Sequence, residues 1–333
     1  MRGDSLQSEP STLIRGAWMS VKHAIELTCT DGVRLGGHIW EARGACAGSV
    51  VVNPATGVLA RYYHRYAEFL TEQGFDVLTY DYRGIGASRP EKLRGCPYRW
   101  RDWGEFDFDV AVRMLRERNP DKALNVVGHS IGGFLPGLAE SAPAIDRLLA
   151  VGAQFAYWPD YARHRRLGLF LKWHVAMPTI TGICGFFPGR RLGLLEDLPA
   201  GVANEWSFRR SRMELSYPRH QRLDVLRRFA SVRAAILSIA ADDDEYATPS
   251  AVRRGLEYYC NALKTAVRLG ASDLPVGPRG HFGLFHASHQ NGFWLDTAQW
   301  LRTGRNPWPS RLEPDPSRKA EPLVRAFLDL SRG

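Results

Sequence analysis

Short apolar runs alternate along this chain with stretches whose apolar positions recur at helical spacing. The runs are Ser49–Asn53 (SVVVN), Phe75–Tyr82 (FDVLTYDY), Leu124–His129 (LNVVGH), Arg147–Ala153 (RLLAVGA), Ala234–Ala241 (AAILSIAA) and Thr265–Ala271 (TAVRLGA). Runs apolar on both faces of the pleat belong in a parallel sheet covered on both sides. Helices are predicted over Arg61–Glu72, Trp103–Arg118, Ile131–Ser141, Pro249–Leu263 and Phe293–Leu301, where they supply the crossovers that parallel strands require. Ahead of them, AIELTCTDGVRLGGHIWE (Ala24–Glu41) holds two strand-like runs joined at Asp31-Gly32, a dipeptide that readily makes a hairpin turn. The predicted fold class is therefore α/β, a mostly parallel, doubly wound sheet opened by an antiparallel pair.

One interval breaks the alternation. Residues 154–229 are rich in Trp, Arg, Gly and Pro and are predicted to form a helical cap inserted over the strand ends. The division that follows is a flexible N-terminal segment 1–20, a core of 21–153 and 230–305, the cap 154–229 and a C-terminal tail 306–333. Inside the cap, LGLFLKWHVAMPTITGICGFF (Leu167–Phe187) approaches the length of a membrane span but carries Lys172, His174 and a central Pro178. Two packed cap helices lining a pocket are predicted there, with contact to a membrane surface as the lesser reading and no transmembrane span. The Pro- and Arg-rich tail is predicted to run along the surface to a short helix near 321–330.

Composition narrows the class without naming it. The chain has 333 residues, 44% apolar and 24% charged, enough for one large domain carrying an insertion. Residues 1–20 lack the basic start and apolar run of a secretory signal, so the cytoplasm is the expected location. Five scattered cysteines without a CxxC pair read as reduced and mostly buried. The net charge of +9 comes from arginines spread through the chain, so it reads as a solvated basic face and no nucleic-acid partner is expected.

The candidate chemistry starts at VVGHSIGGFLPG (Val126–Gly137), where Ser130 ends a strand and glycines at 128, 132 and 133 allow a sharp turn into a helix. A serine hydroxyl needs a base, and the base an orienting acid. His281, in PRGHFGLFH after the last strand, is the expected base; His286 and His289 read as surface or structural residues, and no metal site is expected. Asp244, in SIAADDDEYATP, is the expected acid, with Asp242 and Asp243 left to cap amides or face solvent. An oxyanion hole needs two backbone N–H groups. Ile131 is expected to supply one, and the loop PATGV the other, from Ala55 with Thr56 as the near alternative, since Pro54 has no N–H. Asp81 and Arg83 look catalytic but end a strand that feeds a glycine turn, and read as structural. The cap aromatics Tyr157, Trp158, Trp173, His174 and Phe186 are candidate substrate contacts as a group.

These motifs, GHSIGG, YDYRGIGAS, DDDEYATP and GHFGLF, resemble the α/β-hydrolase fold superfamily, and closely a bacterial group of predicted serine hydrolases whose substrate is unsettled. The similarity extends over residues 21–302 and includes FFPGRRLGLLEDLP in the cap. It implies a sheet of about eight strands, a Ser130, Asp244, His281 triad and no cofactor. The oxyanion loop departs from the superfamily's commonest pattern, reading NPATG in place of a His-Gly start. The expected activity is hydrolysis of a small-molecule carboxylic ester or thioester through an acyl-enzyme on Ser130. An acyltransferase using the same triad and a non-catalytic ligand-binding protein are the competing expectations.

Overall fold

The computed structural model describes residues 22–277 and 280–314. The N-terminal segment 1–20 and the helix expected near 321–330 lie outside these residues. Eight strands form one sheet: β1 (Lys22–Thr28), β2 (Arg34–Trp40), β3 (Gly48–Asn53), β4 (Phe75–Tyr80), β5 (Leu124–His129), β6 (Arg147–Val151), and, after a two-residue pair β7 (Phe186–Phe187) and β8 (Leu198–Pro199), β9 (Ala235–Ala241) and β10 (Leu263–Leu269). Their order is β1-β2-β4-β3-β5-β6-β9-β10. β1, β2 and β4 pair antiparallel, and every later pairing is parallel.

Alternation along the strands builds two cores. Val51, Val126 and Leu148 face one layer, with Trp103, Phe134 and Phe229, whereas Val50, Val52, Val127 and Leu149 face the other, with Tyr66, Phe285 and Trp294. Beyond the last strand, the N–H of Glu313 donates to the carbonyl of Ala266 at 2.9 Å, and Leu312 bridges antiparallel to Val267. Arg268 and Glu313 pair beside this contact at 2.5 Å.

Three predicted elements differ. No α-helix covers Ile131–Ser141; short 3-10 turns occupy Ser130–Gly133, Leu135–Leu138 and Ala142–Ala144. Pro136 cannot donate to a helical ladder, and side chains take the backbone groups instead. Tyr259 Oη donates to the Phe134 carbonyl at 2.8 Å and accepts the Gly137 N–H at 3.1 Å. Asn53 Nδ2 donates to the Gly132 carbonyl at 3.0 Å.

The two cap helices are a single one, Arg166–Cys184. Pro178 does not split it, because the preceding turns Leu171–Ala176 widen to π-type and absorb the missing amide. This helix alone, among the described residues, is long and apolar enough to cross a membrane, with 28% of it buried. The predicted helix Pro249–Leu263 ends at Glu257, after which the amides of Tyr259 and Cys260 bond to nearby carbonyls at 3.2 and 3.0 Å and turn the chain into β10.

Candidate active site

Ser130 stands immediately after β5 with φ at +55°, a left-handed backbone that costs a non-glycine residue free energy and is kept only where its surroundings enforce it. The enforcement is close packing. A Cβ on Gly132 would lie 2.3 Å from the Asn53 carbonyl oxygen, and one on Gly128 would lie 2.4 Å from that of Gly132. The turn therefore presses against the end of β3, and Ser130 lines a cavity of about 510 Å³.

His281 and Asp244 reach the same place from loops after β10 and β9. Their contact is 2.7 Å between Nδ1 and Oδ2. The other Asp244 oxygen accepts the N–H groups of Tyr246 and Ala247, at 2.8 and 2.9 Å. Burial pushes this carboxyl up, but His281 and the two amides outweigh it and hold it below the ordinary carboxylate range. His281 lines the cavity together with Ser130, Ile131, Ala55 and Thr56. Ser130 Oγ forms no hydrogen bond among the described residues. Asp243 accepts the Gly280 N–H at 2.8 Å, and Asp242 is exposed.

A second histidine organises the site, and the sequence offers no signal for it beyond its place before Ser130. His129 is fully buried, and burial together with the neighbouring His281 lowers its pKa to about 3, so the ring is neutral. Its Nε2–H donates to the His281 carbonyl at 2.8 Å, which leaves Nδ1 to accept the Tyr63 hydroxyl at 2.7 Å. Tyr63 Oη in turn accepts the Ala55 N–H at 3.0 Å. The amide expected at the oxyanion position is thus engaged, while the neighbouring Thr56 N–H has no partner among the described residues.

Asp81 and Arg83 hold the turn, as expected. Asp81 accepts the N–H groups of Ala60 and Ala87, and Arg83 pairs with Asp107 and Asp31, each at 2.6 Å. Of the five cap aromatics expected to touch substrate, Trp173 alone lines the cavity. His174 is committed to the Ser207 carbonyl at 2.6 Å, and Tyr157 lies under Arg254. The cap contributes residues with no sequence signal: Lys172, Leu195, Trp206 and Arg209. It is fastened to the loop after β3 where the Glu196 N–H donates to the Gly57 carbonyl at 2.9 Å.

All five cysteines are free, and Cys29 alone is fully buried, so the expectation of mostly buried thiols is corrected to half-buried ones. No group of three or more His, Cys, Asp or Glu side chains able to hold a metal occurs among the described residues.

A family model described as serine aminopeptidase, S33, matches residues 45–195. Among proteins with curated descriptions, none matches this sequence. Among solved structures, an esterase of Pyrococcus furiosus is similar over 90% of this chain and 98% of its own, with 18% identity and a TM-score of 0.55. A soluble variant of the monoglyceride lipase of Saccharomyces cerevisiae, bound to a substrate analogue, is similar over 85% of this chain and 95% of its own, with 14% identity and a TM-score of 0.59.

Proposed function

This chain has the α/β-hydrolase fold, and from that premise we propose that it is a serine hydrolase cleaving a carboxylic ester or thioester through an acyl-enzyme on Ser130. The observation that carries the reading is the 2.7 Å Asp244–His281 pair opening on the cavity that holds Ser130 at φ +55°. His281 Nε2 takes the Ser130 proton as Oγ bonds to the carbonyl carbon, and returns it to the alkoxide or thiolate that leaves. Water then repeats the sequence, its proton passing to His281 and back to Ser130 as the acid is released. Asp244 holds the tautomer and stabilises the imidazolium.

The developing oxyanion is received by the N–H of Ile131 and one from the loop after β3. The sequence favours Ala55 there. Because Tyr63 Oη already accepts that N–H, we assign the second donor to Thr56.

The cavity charge favours esters over peptides with a free amino terminus. An aminopeptidase site needs an acid for the substrate ammonium, whereas this cavity is lined by Arg61, Lys172 and Arg209 and by one acid, Glu196, 3.7 Å from Arg190. Five free thiols support a reducing, cytoplasmic location. Leu167, Leu171 and Val175 are 71, 51 and 44% exposed at successive fourth positions of the cap helix, beside the basic run Arg163–Arg166. That face suits contact with an anionic membrane surface.

The test is intact-protein mass spectrometry after exposure to a fluorophosphonate, comparing wild type with Ser130→Ala, followed by a p-nitrophenyl ester chain-length series. Labelling of the wild type alone is the expected result. Folded wild type that stays unlabelled would move the assignment to a ligand-binding role, and product formation that depends on an added alcohol or amine would move it to acyl transfer.

A further inference from the structure

Arg209 is a buried cation in the reaction cavity with no carboxylate partner. It is 6% exposed and lines the same cavity as Ser130 and His281. Its guanidinium lies 4.1 Å over the Trp100 ring, Nη1 donates to the Phe155 carbonyl at 2.6 Å, and Nε makes a long contact of 3.4 Å to the Glu205 carbonyl. Nη2 has no hydrogen-bond partner among the described residues. The Glu205 carboxylate acts on Arg209 only from a distance, making no ion pair with it, and lies 3.7 Å from Arg99 and from Arg101.

Burying a guanidinium without a carboxylate is costly, since its charge gives up water and gains only neutral acceptors. Stacking on Trp100 and the bond to Phe155 fix the plane of the group but do not cancel its charge. Two further cavity cations, Lys172 and Arg61, also make no ion pair among the described residues. An arginine held flat with an unused edge toward a cavity is arranged to receive a planar anion such as a carboxylate.

We propose that the acyl substrate of this site carries a second, anionic group, a carboxylate, which Arg209 binds while Ser130 attacks the ester or thioester carbonyl. The inference rests on the hydrolase reading above. It assigns to Arg209 a selectivity that a purely structural arginine would lack.

The test compares p-nitrophenyl hydrogen succinate, glutarate and adipate with the methyl esters of the same half-esters, which match them in length and lack the charge. Wild type is expected to show kcat/KM at least about tenfold higher for the anionic member of the best pair, the size of one charge-assisted contact. Arg209→Met is expected to bring that ratio to about one, whatever it does to the neutral ester, and Arg209→Lys to restore part of it. A wild-type ratio of one or less across the series, or a ratio unchanged in a folded Arg209→Met, would overturn the proposal. If the variants do not fold, the wild-type ratio decides.

A failed fluorophosphonate test would not hide the answer. Trp100 and Trp206 report on the cavity by fluorescence, so titration with butyrate against butyramide, its neutral match in length, reads anion binding without turnover. Saturable quenching by butyrate alone supports the anion site, and an equal response to both compounds removes it.

Discussion

His129 donates from Nε2 to the backbone carbonyl of His281 at 2.8 Å. The residue before the candidate nucleophile thus fixes the main chain of the candidate base. The same ring accepts from Tyr63, which accepts from Ala55, so one run of hydrogen bonds ties the loop after β3, the turn at Ser130 and the loop of His281 together. Each donor points the same way along that run, an arrangement in which the bonds polarise one another.

Tyr63→Phe keeps the ring and removes the bridge. The expected outcome is a loss in kcat of about tenfold to a hundredfold, from one or two buried hydrogen bonds, with little change in KM and an unchanged far-UV spectrum. Steady-state kinetics on a p-nitrophenyl ester reads it. An unchanged or raised kcat would instead mark the freed Ala55 N–H as the working oxyanion donor and remove Thr56 from that role.

Asp244→Asn is expected to fold, since the amide oxygen can still accept from Tyr246 and Ala247. Its amide nitrogen donates toward His281 Nδ1, however, and drives the ring proton to the nitrogen that should accept from Ser130. A fall in kcat of about ten-thousand-fold follows from that tautomer. The rate of fluorophosphonate labelling should fall in parallel.

Gly152→Ala tests how tightly the pair is seated. Gly152 has φ +58°, and a Cβ there would stand 3.1 Å from His281 Cε1 and 3.2 Å from Asp244 Oδ2. The backbone strain costs about 1–2 kcal/mol, read by chemical denaturation. Displacement of the imidazole lowers kcat by about a hundredfold, a larger effect than the stability loss alone would produce.

His64 makes stability depend on acid. Burial, with Lys22, His38 and Arg61 nearby, lowers its pKa to about 4, while the unfolded chain keeps the ordinary value of 6.5. As pH falls from 6.5 toward 4, the unfolded state binds a proton that the folded state refuses, so the stability contributed by the neutral ring is present above that window and lost through it. His64→Gln should remove about one proton of this dependence. Urea unfolding of both proteins at several values between pH 4 and 7 checks it; parallel curves would exclude His64 as the group.

The middle of the sheet was legible in the sequence because β3, β4, β5, β6 and β9 are buried on both faces, and such runs stand out against flanking Gly, Pro and Asp. Asp244 and His281 were legible as candidates for the same reason: each follows a strand at a place where turn residues interrupt the pattern. The stretch after Ser130 was not. Its apolar spacing fits a helix, but Asn53 and Tyr259, remote in sequence, take the backbone groups a helix would have used. Arg209, Tyr63 and His129 were invisible for a related reason, since what distinguishes them is who their neighbours are. The widened turn at Leu171–Ala176 likewise let Pro178 sit inside a helix that local rules would have broken.

The contact of Leu312 and Glu313 with Val267 and Ala266 has a further effect, on the protein's behaviour in a crowded solution. β10 is the last strand of the sheet, and without this cover its outward amides and carbonyls would be a template for any passing extended chain. Cutting the polypeptide before Leu312 would leave the reaction cavity untouched yet expose that template. Such a shortened protein should aggregate with time and concentration, which makes Leu312 and Glu313 a guard of solubility.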